Sequence, residues 1–143
     1  MQIRPIALPD TNALVELSAQ LGYAIELTTV RHNLQRMLGN ADHCLLVAEN
    51  PAGEVVGWVH GFVRPLIESP LSVEIGGLVV DQRCRRQGIG AALMAAVERW
   101  TQAQGIAIVS LRSAAQREEA HAFYRGLGYA EVKRQLAFRK TLA

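Results

Sequence analysis

The sequence predicts an α/β (α+β) fold, a mixed sheet with helices packed against it. Three observations carry that expectation. Apolar spacing changes between the helical period near 3.6 and the strand period of 2 several times along the 143 residues. Clusters of Gly, Asn and Pro separate the periodic segments. No internal repeat, low-complexity tract or linker divides the chain, so residues 1–143 read as a single domain.

The elements follow in order. Gln2–Pro5 is a short strand. Asp10 stands at an N-cap position before Leu14, Leu17 and Leu21, and Gly22 ends that helix. Thr28 or Thr29 caps a second helix carrying Val30, Leu34, Met37 and Leu38, closed by Gly39. Cys44–Ala48 is a strand, Asn50-Pro51-Ala52-Gly53 a turn, and Val55–Val63 the hairpin partner. After the break at Pro65–Pro70, Leu71–Val80 completes a meander. Ile89, Leu93, Val97 and Trp100 line one helix face up to Gly105, and Ile106–Leu111 is a buried strand. Ser113-Ala114-Ala115-Gln116 has the form of a capping box for a helix carrying Ala120, Phe123, Tyr124 and Leu127. Tyr129–Val132 and Leu136–Arg139 are the expected final strands. The predicted order is βααβββαβαββ.

Composition narrows the function. Hydrophobic residues make up 50% and charged residues 20%, enough for a core without disulfides or metals. A net charge of +2 is too weak to imply nucleic acid and suits an anionic small ligand. Cys44 and Cys84 form no CxxC pair and read as free thiols of a reducing compartment. His32, His43 and His121 lack ligand-spaced partners, so no metal is expected. The N-terminus has no signal-peptide apolar region, and no apolar run reaches the ~18 residues of a membrane span. These features predict a cytoplasmic protein without a nucleic-acid or membrane partner. Met37, Met94, Trp58 and Trp100 read as packing residues.

The chemistry concentrates in Asp81-Gln82-Arg83-Cys84-Arg85-Arg86-Gln87-Gly88-Ile89-Gly90, between a strand and a helix. A helix N-terminus presents unpaired N–H groups and partial positive charge. Glycines at 88 and 90 let a phosphate approach the backbone, and Arg83, Arg85 and Arg86 add charge. A Walker A loop is excluded because no Gly-Lys-Ser/Thr follows. A Rossmann fingerprint is excluded because Leu93 stands at the third glycine position.

Val79-Val80-Asp81 followed by Arg85-Arg86-Gln87-Gly88-Ile89-Gly90 resembles the acyl-CoA signature of the GNAT N-acetyltransferase superfamily, Gln/Arg-x-x-Gly-x-Gly/Ala, with Arg85, Gly88 and Gly90 at its defined positions. The resemblance implies a central splayed sheet with helices on both faces and acetyl-CoA as donor substrate. It implies that backbone N–H groups of Arg86, Gln87, Gly88, Ile89, Gly90 and Ala91 bind the CoA pyrophosphate. Leu78, Val79 and Val80 then pair with the pantetheine arm, and one N–H there polarises the thioester carbonyl. The opening for the thioester lies where this strand parts from Ile106–Leu111.

Ala120-His121-Ala122-Phe123-Tyr124-Arg125-Gly126-Leu127-Gly128-Tyr129 resembles the family's second signature, which makes Tyr124 the candidate acid for the departing thiolate. Glu74, alone among apolar residues in its strand, is the candidate base that deprotonates an attacking amine, and alternation places it with Gly76, Leu78 and Val80. His60 is the runner-up. The family's asparagine contact to the CoA arm is replaced by Ala114, so Ser113 or Gln116 is expected in its place, with Arg117 near the 3′-phosphate. His121 reads as helix surface. Tyr23, Glu26, Phe62 and Arg64 fall in segments that build the family's acceptor pocket. The expected reaction moves an acetyl group to a primary amine of a small molecule. A non-catalytic acyl-CoA-binding module and a protein or peptide N-acetyltransferase are the alternatives. The terminal strands suggest a homodimer.

Overall fold

Gln2–Pro5 (β1) opens a five-stranded sheet whose strands lie side by side in chain order: β1, His43–Glu49 (β2), Val55–Arg64 (β3), Ser72–Val80 (β4) and Val109–Leu111 (β5). The first three pairings are antiparallel and β4 with β5 is parallel, so the sheet is mixed as expected. The computed structural model describes residues 1–143, which form two compact units, Met1–Arg112 and Ser113–Ala143. The whole sheet belongs to the first.

Helices Thr11–Ala19 (α1) and Leu27–Met37 (α2) follow β1, and Ile89–Ala103 (α3) makes the crossover that a parallel β4–β5 pair requires. The two faces of the sheet are covered by different helices. Gly57 and Gly61 on β3 form a groove for α3. A Cβ at Gly57 would lie 3.2 Å from Leu93 and 3.3 Å from Ile89, and one at Gly61 only 2.9 Å from Val97. On the opposite face Leu14 and Leu34 cluster with Leu45 and Val47 of β2, and Trp58 packs against them. Leu93 and Val97 are fully buried, and each contributes about 2 kcal/mol by removal of apolar surface from water.

A bulge in β4 changes one expectation. Gly77 pairs with His60 and Ile75 with Gly61, so Gly76 is an extra residue. Simple alternation grouped Glu74 with Gly76, Leu78 and Val80. The extra residue shifts the phase. Glu74 pairs with Phe62 and Val79 with Trp58, while Leu78 and Val80 pair with Val59 and Gly57 on the α3 side. The bulge coincides with the place where the sheet opens. β5 pairs with β4 only from Val73 to Ile75, leaving the outer edge of β4 beyond Ile75 without a strand neighbour.

Several element ends differ from expectation for local reasons. Asp10 does precede α1, but its carboxylate accepts from the Ala7 N–H and from Nη1 and Nη2 of Arg4 and caps no α1 donor. The N-cap of α2 is Glu26, upstream of the expected Thr28 or Thr29, which lie inside the helix. β5 is shorter than Ile106–Leu111 because the Ile106 N–H still bonds to Thr101 at the end of α3.

In the second unit Glu118–Gly126 forms a helix (α4). The expected capping box does not form. The Arg117 N–H bonds to the Ala114 carbonyl in a turn, so the Ser113 hydroxyl has no helix donor to accept and Arg117 stands at the N-cap. Residues 129–143 contain neither expected final strand. Their alternation is strand-like, but a strand exists only with a backbone partner, and here Val132, Leu136, Phe138 and Leu142 lie exposed.

Candidate active site

The loop after β4 is braced from beneath. Asp81 is buried and accepts from the Arg83 N–H at 3.0 Å and from the Arg83 guanidinium at 2.8 and 3.2 Å. The guanidinium holds the Asp81 carboxyl down to about 2. Gln20, at the C-terminal end of α1, accepts from the Gln82 N–H at 2.8 Å. The charge of Arg83 is therefore matched locally, and the three-arginine cluster read from sequence divides into one brace and two exposed cations, Arg85 and Arg86.

Backbone conformation then shapes the concavity. Arg86 has φ 66° and is the one non-glycine residue with positive φ, and Gly88 has φ 77°. Left-handed residues within an otherwise extended or right-handed run turn successive N–H groups to one side, the geometry of an anion nest. The first internal bond of α3 runs from the Ala92 N–H to the Gly88 carbonyl at 3.0 Å. The N–H groups of Ile89, Gly90 and Ala91 therefore have no helical acceptor, and they sit at the positive end of a 15-residue helix.

The open edge of β4 lies just upstream. The Val73 N–H bonds to Ile108 on the β5 side, whereas the Asp81 N–H bonds to Val56 on the β3 side. Their even separation would place both on one side without the Gly76 bulge. Counting back from Asp81, alternation directs the Val79 N–H to β3 and those of Val80 and Leu78 to the edge that β5 has left. Leu78 and Val80 thus offer free donors, while Val79 serves the sheet.

Glu74 lies at the last β5-paired stretch, opposite Ser110 on one side and Phe62 on the other. Its Oε1 accepts from Arg64 Nη1 at 2.7 Å and stands 3.4 Å from Arg112 Nε. The carboxylate expected to be isolated among apolar neighbours is instead flanked by two guanidinium groups, with Oε2 uncommitted.

His60 is paired with His43 at 2.9 Å between Nε2 and Nδ1, with the rings stacked at 5.2 Å, and Phe62 extends the stack. Burial, aided by repulsion from His43, pushes His60 down to about 4. A general base works best near the ambient pH, so His60 does not suit that role. Spacing could not reveal this pair, because cross-strand register alone brings residues 43 and 60 together. The Gln20 brace and the Arg112 contact likewise join segments distant in sequence and leave no local signal.

In the second unit Tyr124 packs edge-on against Phe123 and Tyr129 at 5.1 and 6.0 Å. Burial raises its phenol above the ordinary value, and Arg117 opposes that shift. His121, read as helix surface, ties α4 to the preceding turn through a 2.9 Å contact to the Ala114 carbonyl.

Comparison with known proteins agrees with this geometry. The model of the Acetyltransferase (GNAT) family matches residues 11–129. An aminoglycoside N(6′)-acetyltransferase type 1 from Stenotrophomonas maltophilia is 29% identical over 145 residues, covering 98% of this chain and 93% of that protein. One from Klebsiella aerogenes is 30% identical over 101 residues, covering 68% and 66%. The fold of an aminoglycoside 6′-N-acetyltransferase from Acinetobacter haemolyticus superposes with a TM-score of 0.87 over the full length of both chains at 19% identity. AAC(6′)-Iy, in complex with the bisubstrate analog CoA-S-monomethyl-acetylneamine, superposes with the same TM-score at 20% identity over 99% of this chain and 98% of that one. A family match across both units, together with the splayed β4 edge and the nest that leads into α3, identifies the chain as a member of the GNAT family, an acetyl-CoA-dependent N-acetyltransferase.

Proposed function

We propose that this enzyme acetylates an amino group of an aminoglycoside, using acetyl-CoA held along Leu78–Val80 and Arg86–Ala91, and that residues 1–143 work as one domain. The observation that carries the donor half is two sets of unpaired backbone donors flanking one loop, Leu78 and Val80 on the open β4 edge and Ile89, Gly90 and Ala91 at the N-terminus of α3. The acceptor half is supported by relatives named as aminoglycoside N(6′)-acetyltransferases. An aminoglycoside is a small molecule with several primary amines, which agrees with the small-molecule acceptor expected from sequence.

Each residue has a definite task in this reading. Backbone N–H groups of Arg86, Gln87, Gly88, Ile89, Gly90 and Ala91 donate to the pyrophosphate oxygens, and Arg85 and Arg86 supply charge. Leu78 donates its N–H to the thioester oxygen, where negative charge develops as the amine attacks. Val80 donates to the pantetheine arm, Val79 keeps the strand in register, and Ser113 offers a hydroxyl in place of the family asparagine. Glu74 takes the ammonium proton through Oε2, directly or through water, because only the neutral amine is nucleophilic. Tyr124 donates a proton to the leaving thiolate.

The enzyme acts in the cytoplasm in this reading, where its donor is made, and as a homodimer. The exposed Val132, Leu136, Phe138 and Leu142 support the dimer, since a second copy covers their apolar surface.

The test incubates the protein with acetyl-CoA and neamine and follows free thiol together with product mass. Stoichiometric thiol and monoacetylated neamine are expected. Tight acetyl-CoA binding with no turnover across a broad amine panel contradicts the catalytic assignment.

A further inference from the structure

The geometry points to Arg112 as a placeholder for the acceptor's cation: its guanidinium occupies the approach to Glu74 until a substrate ammonium displaces it. This rests on the reading that a cationic amine approaches Glu74.

The two arginines at Glu74 differ in kind. Arg64 lies within β3, only 31% exposed, and donates a 2.7 Å hydrogen bond to Oε1. Arg112 follows the last residue of β5 and is 62% exposed. Its Nε stands 3.4 Å from the same oxygen as a long ion pair, whereas Arg64 donates a hydrogen bond to it. An ion pair so long and so solvated adds little stability. Arg64 is therefore the fixed partner and Arg112 the exchangeable one.

Charge gives the exchange a direction. One carboxylate stands between two guanidinium groups, so the cluster is net positive while both are in place. A polyamine gains nothing from approaching it in that state. Once Arg112 turns into solvent, Glu74 and Arg64 balance, and the ammonium that is to be deprotonated meets Oε2, uncommitted throughout, without repulsion from a second guanidinium. The exchange conserves charge at the carboxylate, because one cation replaces another. Arg112 thereby sets the threshold that an acceptor's charge must pass, which makes it a specificity-determining residue.

The experiment compares wild type, Arg112→Gln and Arg112→Lys by calorimetry with neamine at low salt. Arg112→Gln is expected to bind neamine about fivefold more tightly, the scale of one removed charge contact in high dielectric. The gain is expected to shrink at high salt as screening increases. Arg112→Lys is expected to match wild type, and acetyl-CoA affinity to stay the same in all three. The KM for neamine in Arg112→Gln is expected to fall by the same factor. A purely structural Arg112 would lower the melting temperature without tightening neamine binding, and that result overturns the inference, as does unchanged or weaker neamine binding in Arg112→Gln. Weakened acetyl-CoA binding in Arg112→Gln also overturns it, by assigning the residue to the donor. Neamine that binds wild type but is not acetylated refutes the functional reading alone, since the affinity ratio still decides the role of Arg112. Neamine that binds neither form overturns both.

Discussion

The indole of Trp58 occupies the space that a side chain at Gly77 would need: a Cβ there would lie 2.5 Å from Cη2 and 2.8 Å from Cζ3. His60 covers the neighbouring bulge residue in the same way, 3.0 Å from a Cβ at Gly76. Gly77→Ala must displace the indole or the strand, at a cost of about 1–3 kcal/mol. Thermal unfolding is expected to show that loss. The bulge also directs the Leu78 N–H, so kcat is expected to fall more than acetyl-CoA affinity. A Gly77→Ala protein with wild-type stability and kcat would show that the bulge tolerates movement.

Arg86 combines an unfavourable backbone conformation with a useful charge. A left-handed conformation costs a non-glycine residue about 1 kcal/mol. Arg86→Gly is therefore expected to raise the melting temperature while weakening acetyl-CoA binding several-fold. Stability and affinity moving in opposite directions distinguish functional strain from a loop that is merely irregular.

His60 makes stability depend on pH with a defined sign. Its folded value of about 4 lies below the ordinary value of 6.5, so between these limits the unfolded chain binds the proton more readily. The contribution is complete above about pH 6.5 and declines as pH falls toward 4. Allowing for partial exposure, it amounts to on the order of 1–2 kcal/mol. Urea unfolding of wild type and His60→Gln at pH 7.0 and 4.5 measures it, with pH values chosen roughly to bracket the shift. The wild type is expected to lose more stability than the variant. Equal losses would remove His60 from the account.

Tyr124 keeps its proton to higher pH than an ordinary phenol because it is buried. If it protonates the departing thiolate, Tyr124→Phe is expected to lower kcat about 10²-fold with little change in acetyl-CoA affinity. The wild-type rate is expected to show no loss from phenol ionisation as pH rises from neutrality to 9. A Tyr124→Phe enzyme with full kcat would reduce the residue to its packing contacts with Phe123 and Tyr129.

The sequence made the fold legible wherever a signal was local. The periodicity of Ile89, Leu93 and Val97 located α3, and Arg85, Gly88 and Gly90 located the nest. Features that depend on pairing were not legible. One extra residue at Gly76 reverses the sides assigned to Leu78 and Val80, and nothing in single-strand alternation announces it. The partners of Glu74 come from β3 and from the end of β5, so an apolar local context concealed two guanidinium groups. Asp81 neutralises one of three arginines through a side-chain pairing that the order of residues in the loop does not announce. The tail shows the converse, because Val132, Leu136 and Phe138 have a strand pattern yet lie exposed outside any strand.

The account stands most directly on the nest between Arg86 and Ala91. Calorimetric titration of acetyl-CoA into wild type and Gly90→Glu tests it, because a carboxylate at that position meets the pyrophosphate with like charge and bulk. Tight one-to-one binding by wild type, reduced at least about 100-fold in the folded variant, is the predicted result, since like-charge contact at a few ångströms costs several kcal/mol in a partly desolvated site. Equal affinity in the two proteins would contradict the placement of the donor at this loop.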